Sequence, residues 1–321
     1  MPRSPPRTVA TDAIEELLEE LLLPELDGST LLCLDLDDVL LKTTQFVGSE
    51  AWESALVAEL ATMHGFPEPK ARGTAGQLWR ALHWVCESET PQAETARVVA
   101  ALQQRAARVI GLTARDSVLV PLTVRQLADA GISFTGSSGS GGEAVGDTID
   151  RELVKGARLS AGVIYCGDAS KREALLSFMR DPLPASTAAS PSPQLVLSYP
   201  PPLAQLTTVV HVDDKLSHLS DLAAAFGGAP PGAGNEGGLA LEDEEDVALM
   251  ISHLSFVGVH YTRVARDRSR AQQPVGSESA PSLDPGTVAL ALALASSEAR
   301  IHLGNAVACA DGDRRFFYAK H

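Results

Sequence analysis

Three runs of strand-forming apolar residues, each followed directly by polar side chains, restrict the folds that this chain can adopt. The runs and the polar residues after them are Leu31–Leu34 before Asp35 and Asp37, Val109–Leu112 before Thr113, and Val209–Val212 before Asp213 and Asp214. Apolar runs of this length are typical of strands that are buried on both faces of a parallel sheet. Because the carboxyl ends of parallel strands open onto one crevice, the sequence predicts that these polar groups converge there.

A fourth segment adds a positive charge to this set. The apolar residues 162–166 indicate another strand, and Lys171 follows it on a predicted helix. Carboxylate oxygens are suitable ligands for Mg²⁺, and an ammonium group offsets the charge where a carboxylate and a phosphate approach each other. The sequence therefore predicts a site for a divalent cation and a phosphate.

The amino-acid composition limits the kinds of molecule that the protein is expected to bind. The 321 residues carry a net charge of −15, which argues against a nucleic-acid-binding surface. The same charge is compatible with a phosphorylated substrate, because a bound cation and one lysine can reverse the sign locally. No apolar stretch has the length of a membrane span, and the first residues lack the apolar region of a signal peptide. We therefore expect no membrane association and a cytoplasmic location.

The helical and strand-like patterns divide the chain into five predicted segments. These are an N-terminal helix and lead-in at 1–28, a core at 29–44 and 108–264, a helical cap at 45–107, a flexible linker at 265–285 and a C-terminal extension at 286–321. The N-terminal helix is expected over 11–26, where leucines recur at helical spacing. The expected fold is α/β, with a three-layer core around a mainly parallel sheet and a helical cap inserted after the first strand.

The polar groups at the strand ends suit phosphoryl transfer through a covalent aspartyl phosphate. This chemistry needs a carboxylate nucleophile, a second carboxyl group that protonates the leaving oxygen and later activates water, and groups that neutralise the phosphoryl oxygens. Asp35 and Asp37 are two positions apart and can turn toward one point just past a strand end. Thr113 can donate a hydrogen bond to a phosphoryl oxygen, and Asp213 and Asp214 can complete an oxygen shell for Mg²⁺.

This ordered set resembles the haloacid dehalogenase superfamily, whose signature is an apolar strand followed by Asp-x-Asp-x-[Thr/Val]. The matching residues, in the order of the four family motifs, are Asp35, Asp37 and Val39, then Thr113, then Lys171, then Asp213 and Asp214. The resemblance spans roughly residues 30–264 and implies a Rossmann-like core. It also implies that Asp35 is the nucleophile and that Asp37 is the acid-base group, with a backbone carbonyl near Mg²⁺. Asp213, with Asp214 as the other candidate, would then bind the metal.

The stretch VGSEAW at 47–52, together with LTAR and VDDK, is similar to a poorly characterised branch of that superfamily. In capped members the cap selects the substrate, so the resemblance implies substrate contacts from Ser49, Glu50 and Trp52 at the opening of the cap. A helix N-cap at Ser49 with a buried Trp52 is the alternative. Arg115, two residues after Thr113, can contact substrate or form a surface salt bridge.

We therefore predict a Mg²⁺-dependent phosphatase that acts on a small phosphorylated molecule through an aspartyl phosphate. Two departures from the family pattern support a different class, a binding or regulatory protein with little or no turnover. The chain carries Pro/Gly/Ser-rich insertions and a C-terminal extension that the core does not require. The family usually has Lys-Gly or Lys-Pro in its third motif, whereas Arg172 follows Lys171 here. Arg172 or Lys155 remains an alternative source of the positive charge.

Overall fold

The computed structural model describes residues 4–19, 23–24, 26–134, 150–180, 205–227, 251–271, 283 and 286–289. These residues form two compact units. The first unit consists of the described residues up to Leu41, Thr90–Val120 and Leu127–Asp267. The second consists of Lys42–Glu89, Pro121–Gln126 and the described residues from Arg268 onwards.

A sheet of eight strands forms the centre of the first unit. Its strands are β1 (Arg7–Thr11), β2 (Thr30–Leu34), β5 (Arg108–Thr113), β6 (Arg151–Glu152), β7 (Arg158–Ser160), β8 (Val163–Tyr165), β9 (Thr208–Asp213) and β10 (Ser255–Tyr261); β3 (Lys42–Thr43) and β4 (Ser88–Glu89) pair elsewhere. The order is β1-β10-β9-β2-β5-β8-β7-β6, and only the β8–β7 and β7–β6 pairs are antiparallel. The carboxyl ends of β2, β5 and β9 therefore lie side by side at one edge.

Helices accompany the strands in the alternating manner of an α/β protein. They are α1 (Glu50–Thr62), α2 (Glu68–His83), α3 (Thr95–Arg105), α4 (Val120–Asp129), α5 (Lys171–Arg180), α6 (Leu216–Gly227) and α7 (Arg263–Ala271). The mostly parallel central sheet with its helices confirms the predicted α/β class and is consistent with a Rossmann-like fold. No helix of the described residues is both long and apolar enough to cross a membrane.

The two faces of the sheet are covered by separate apolar clusters. On β2, Leu32 and Leu34 belong to the cluster that contains Leu102 of α3. Leu31 and Cys33 belong to the cluster that includes residues of α5 and α6. Because successive side chains of a strand point to opposite faces, a strand covered on both sides is mostly apolar. This explains the apolar runs before Asp35, Thr113 and Asp213, the last of which contains the buried His211.

The second unit has its own small core. Helices α1 and α2 bury the side chains of Trp52, Leu56, Leu60, Ala71, Ala75 and Leu78 against one another. The short strands β3 and β4 pair in antiparallel fashion next to these helices in the sequence, and Lys42 forms a salt bridge with Glu89 across the pair. Of the helices within the predicted cap at 45–107, α1 and α2 therefore lie in the second unit, and α3 lies in the first.

The predicted ends of the chain need correction. The helix expected over 11–26 is wrong for the described residues, which form β1 and a 3-10 helix at Ile14–Leu18. The pairing of β1 with β10 extends into the predicted span only at Thr11, and the leucine-containing residues that follow form the short 3-10 helix in place of an α-helix. The linker expected at 265–285 begins inside α7. Most of the C-terminal extension predicted at 286–321 lies outside the described residues.

Candidate active site

Asp35 lies at the carboxyl end of β2, between the ends of β5 and β9. Its backbone N–H donates to the carbonyl of Val212 at 2.9 Å, which continues the pairing of β2 with β9 past the last residue of the strand. The Asp35 side chain is buried, and its Oδ1 accepts the backbone N–H of Leu36 at 2.8 Å. The sheet thus fixes both the backbone and the carboxylate of this residue.

Lys171 brings its ammonium group to this carboxylate. Its Nζ lies 2.8 Å from Asp35 Oδ1 and 2.6 Å from Asp213 Oδ2. The alternatives named from the sequence are engaged elsewhere, because Lys155 pairs with Glu173 and Arg172 lies 3.8 Å from Asp221. The structure therefore places Lys171, and neither alternative, against Asp35.

A capping box sets the position of Lys171 at the start of α5. The backbone N–H of Glu173 donates to Ser170 Oγ at 3.1 Å, and the N–H of Ser170 donates to Glu173 Oε2 at 3.0 Å. This reciprocal pair satisfies two backbone donors at the first turn of a helix. The sequence Ser-Lys-Arg-Glu therefore ends the loop after β8 and starts the helix with Lys171 as its first residue.

Asp213 accepts hydrogen bonds from several neighbouring residues. Its Oδ2 faces Lys171 and also His211 Nε2 at 2.8 Å, and its Oδ1 accepts the backbone N–H of Lys215 at 2.8 Å. His218 Nδ1 lies 3.1 Å from Oδ2. The carboxylate itself is fully buried.

These contacts shift the acidities of the buried groups in different directions. Burial alone would raise the pKa of Asp213, but Lys171 and the hydrogen bonds from His211 and His218 hold it well below its ordinary value. Burial raises the pKa of Asp35, and the neighbouring Lys171 only partly opposes this rise. Burial would lower the pKa of Lys171, but the two carboxylates raise it above its ordinary value. Lys171 is therefore an ammonium group and Asp213 a carboxylate.

Asp37 faces Arg115. The guanidinium donates from Nε to Asp37 Oδ2 at 2.9 Å and from Nη2 to Oδ1 at 2.7 Å. Thr113, at the end of β5 as predicted, accepts the backbone N–H of Arg115 on its Oγ1 at 3.2 Å. A hydroxyl group also carries one donor. Its acceptor bond to Arg115 therefore leaves Thr113 able to donate to a phosphoryl oxygen.

The acidic residues meet the first requirement for a hard cation. Oxygen atoms of Asp35, Asp213 and Asp214 lie within 4.8 Å of one another. Mg²⁺ takes oxygen ligands and keeps several waters, so three converging carboxylates fit it. The oxygens of Asp213 already accept N–H groups from four residues, and Asp35 and Asp214 offer further carboxylate oxygens beside them.

The residues predicted at the opening of the cap have structural roles in the second unit. Ser49 is the N-cap of α1, where its side chain accepts the backbone N–H of Trp52 at 3.2 Å. Trp52 is 1% exposed in the core of that unit. Glu50 lies in the first turn of α1, where a carboxylate is favourable. Substrate binding by these three residues stays a prediction.

Three histidines around the acidic pair were not predicted as site residues. His211 and His218 contact Asp213, and His260 Nε2 lies 3.0 Å from the backbone carbonyl of Asp214. The signal for His211 is the strand period, because residues two apart on β9 point to the same face. For His260 the signal is its register opposite Asp213 on the neighbouring strand, which the sequence does not reveal.

Comparison with known proteins gives a family but no activity. No curated protein and no solved structure matches the chain. One family model, described as a protein of unknown function (DUF2608), matches residues 10–182. The match contains Asp35, Asp37, Thr113, Arg115 and Lys171, and it ends before the Asp213–Asp214 pair. Because it covers more than half of the 321 residues, the chain belongs to this family of unknown function, DUF2608.

Proposed function

We propose that the protein is a Mg²⁺-dependent phosphatase of the haloacid dehalogenase type that hydrolyses a small phosphorylated molecule through an aspartyl phosphate on Asp35. One observation carries the proposal. Asp35 ends the central strand β2 with Lys171 Nζ 2.8 Å away and with oxygens of Asp213 and Asp214 within 4.8 Å. A carboxylate nucleophile, a fixed cation and further acidic ligands are the groups that this reaction needs.

The proposed reaction has two steps. In the first, an Asp35 oxygen attacks phosphorus, the bond between phosphorus and the leaving oxygen breaks, and Asp37, which starts this step in its protonated form, gives that oxygen its proton. In the second, Asp37 takes a proton from a water molecule, which attacks phosphorus and releases inorganic phosphate and the Asp35 carboxylate. The Thr113 hydroxyl donates to a phosphoryl oxygen, and Lys171 compensates the charge of the approaching groups.

Mg²⁺ held by Asp35 and Asp214, with Asp213 as a further ligand, would neutralise charge on the phosphoryl oxygens when it is bound. The segment with α1 and α2, between β2 and β5 in the chain, is the proposed cap that selects the substrate, and its insertion between two strands of the central sheet supports this. The superfamily assignment rests on the order of the motifs and on the convergence of Asp35, Thr113, Lys171 and the Asp213–Asp214 pair at one edge of the sheet.

Hydrolysis of 4-nitrophenyl phosphate, with and without EDTA, tests the proposal. We expect Mg²⁺-dependent turnover in the wild type and its loss in Asp35→Asn. Asp150→Asn is the matched control, because it makes the same change at an exposed carboxylate that pairs with Arg158. Mass spectrometry of acid-quenched protein should find a phosphoryl group on the peptide that contains Asp35. Turnover that survives Asp35→Asn would show that another residue is the nucleophile.

A binding or regulatory protein is the second candidate, and one feature favours it. Asp37 is already bound by Arg115. Asp213 is bound by Lys171, His211 and the backbone N–H of Lys215, so two acidic groups of the site already have partners within the protein. Calorimetric titration with Mg²⁺ and inorganic phosphate separates the two candidates. Binding of both without hydrolysis across a broad panel of phosphate esters favours the binding protein.

A further inference from the structure

Arg115 lies two positions past the end of β5 and forms two hydrogen bonds with Asp37. Two N–H groups of the guanidinium, on Nε and Nη2, donate to the two oxygens of one carboxylate at 2.9 and 2.7 Å. A bidentate pair of this kind fixes the plane of the carboxylate as well as its distance. The side chain of Arg115 is 1% exposed and that of Asp37 18%, so the carboxylate is reached from outside and the guanidinium is not.

The backbone holds Arg115 in place from two sides. Its N–H donates to Thr113 Oγ1 at 3.2 Å, and its carbonyl accepts the N–H of Gly167 at 3.2 Å. The N–H of Cys166 donates to the carbonyl of Thr113 at 2.9 Å, which ties the ends of β5 and β8 together just before this point. The guanidinium therefore starts from a backbone that the sheet has already fixed.

Asp37 lies in the turn past the end of β2, where its backbone forms a bridge with Leu41. A carboxylate on such a turn has several side-chain orientations, and proton transfer requires one of them to within a few tenths of an ångström. The two N–H groups that the Arg115 guanidinium donates, which form a planar fork, hold the Asp37 carboxylate in one of these orientations.

We propose that Arg115 is a positioning residue, which holds the Asp37 carboxylate in the orientation needed for proton transfer and makes no contact with substrate. This inference rests on the proposed phosphatase function, and it replaces the substrate contact predicted for Arg115 from the sequence. The burial of the guanidinium and the use of its Nε–Nη2 edge by Asp37 support it.

A double-mutant cycle on the full-length protein tests the inference. The variants are Arg115→Lys, Asp37→Asn and the double variant, with steady-state hydrolysis of 4-nitrophenyl phosphate in Mg²⁺ as the measurement. Lysine keeps the charge and loses the fork. We expect Arg115→Lys to lower kcat on the order of 10²-fold, as misplacement of a catalytic group does, with KM unchanged. In the Asp37→Asn background, the same change should have no further effect.

Each other outcome overturns the inference. A raised KM with unchanged kcat means that Arg115 contacts substrate. An equal loss of kcat in both backgrounds means that Arg115 acts through the stability of the fold, since a loss of folded protein would persist without Asp37. If the wild type hydrolyses no phosphate ester, the proposed function fails and this inference fails with it. If the wild type is active and the cycle is additive, only the role of Arg115 is refuted.

Discussion

Nε2 of His211 lies 2.8 Å from Oδ2 of Asp213, two positions further along β9. The other ring nitrogen, Nδ1, lies 3.2 Å from the backbone carbonyl of Cys33 on β2. Both side chains are fully buried, so the imidazole connects the acidic residue to the neighbouring strand from inside the protein. Asp213 in turn holds Lys171, and Lys171 holds Asp35. The positions of Lys171 and Asp35 at the end of β2 thus depend on the buried His211.

Substitutions of His211 should separate its two contacts. The amide nitrogen of glutamine can take the place of Nε2 and donate to Asp213, whereas that of asparagine takes the place of Nδ1 and reaches only Cys33. We expect His211→Asn to lower kcat on the order of 10²-fold, because Asp213 and Lys171 lose their support, and His211→Gln to lower it far less. Urea denaturation of both variants is the control. Equal losses of kcat would show that the contact with Asp213 is unimportant.

Removal of Lys171 should be costly for stability. Lys171→Met leaves two buried carboxylates without their cation, and loss of one partner of a buried ion pair costs about 3–5 kcal/mol. The double variant Lys171→Met/Asp213→Asn should recover part of this, because it also removes one of the charges. The matched control is Lys155→Met, which breaks a pair that is 29% and 21% exposed and should cost at most about 1 kcal/mol. Urea denaturation measures all three.

The sequence predicted the strand ends and the polar groups after them because these depend on local patterns. A largely apolar run that stops at Asp35, Thr113 or Asp213 identifies a buried strand and its carboxyl end without knowledge of the strand order. Parallel pairing then brings these ends together, as β2 between β5 and β9 does. The convergence of Lys171 on Asp35 follows from the same rule, since β8 pairs with β5.

Contacts that depend on long-range pairing were beyond the reach of the sequence. Whether Arg115 meets a substrate or Asp37 depends on the distance between two loops, which no local pattern gives. His260 meets Asp214 only because β10 lies next to β9. The edge strand β1 has the same origin, because Arg7–Thr11 is extended through its pairing with β10. The helix was predicted over 11–26 from the leucine spacing, and this local pattern gave no sign of the strand that ends at Thr11.

Substitutions of Ser49 can distinguish a role in the stability of helix α1 from a role in substrate binding. Its hydroxyl is the N-cap acceptor for Trp52, so Ser49→Ala should cost about 1 kcal/mol of stability. Ser49→Thr keeps an N-cap hydroxyl and should cost less. We expect KM for 4-nitrophenyl phosphate to be the same in the threonine variant and in the wild type. A higher KM in a threonine variant of normal stability would instead support the predicted contact between Ser49 and substrate.

The capping box formed by Ser170 and Glu173 should make the stability of the fold depend on pH. Burial would raise the pKa of Glu173, but its bonds to Lys155 and the Ser170 N–H hold that pKa below the ordinary 4.5. Ionised Glu173 therefore stabilises the fold above about pH 4.5, and this contribution is lost as pH falls through the lower folded-state pKa. Thermal unfolding should show Glu173→Gln less stable than the wild type by about 1 kcal/mol at pH 7, with the gap closing toward pH 3. Ser170→Ala removes a cap that does not titrate, so its gap should persist at pH 3. A Glu173→Gln gap that is unchanged at low pH would show that the charge of Glu173 does not stabilise this helix.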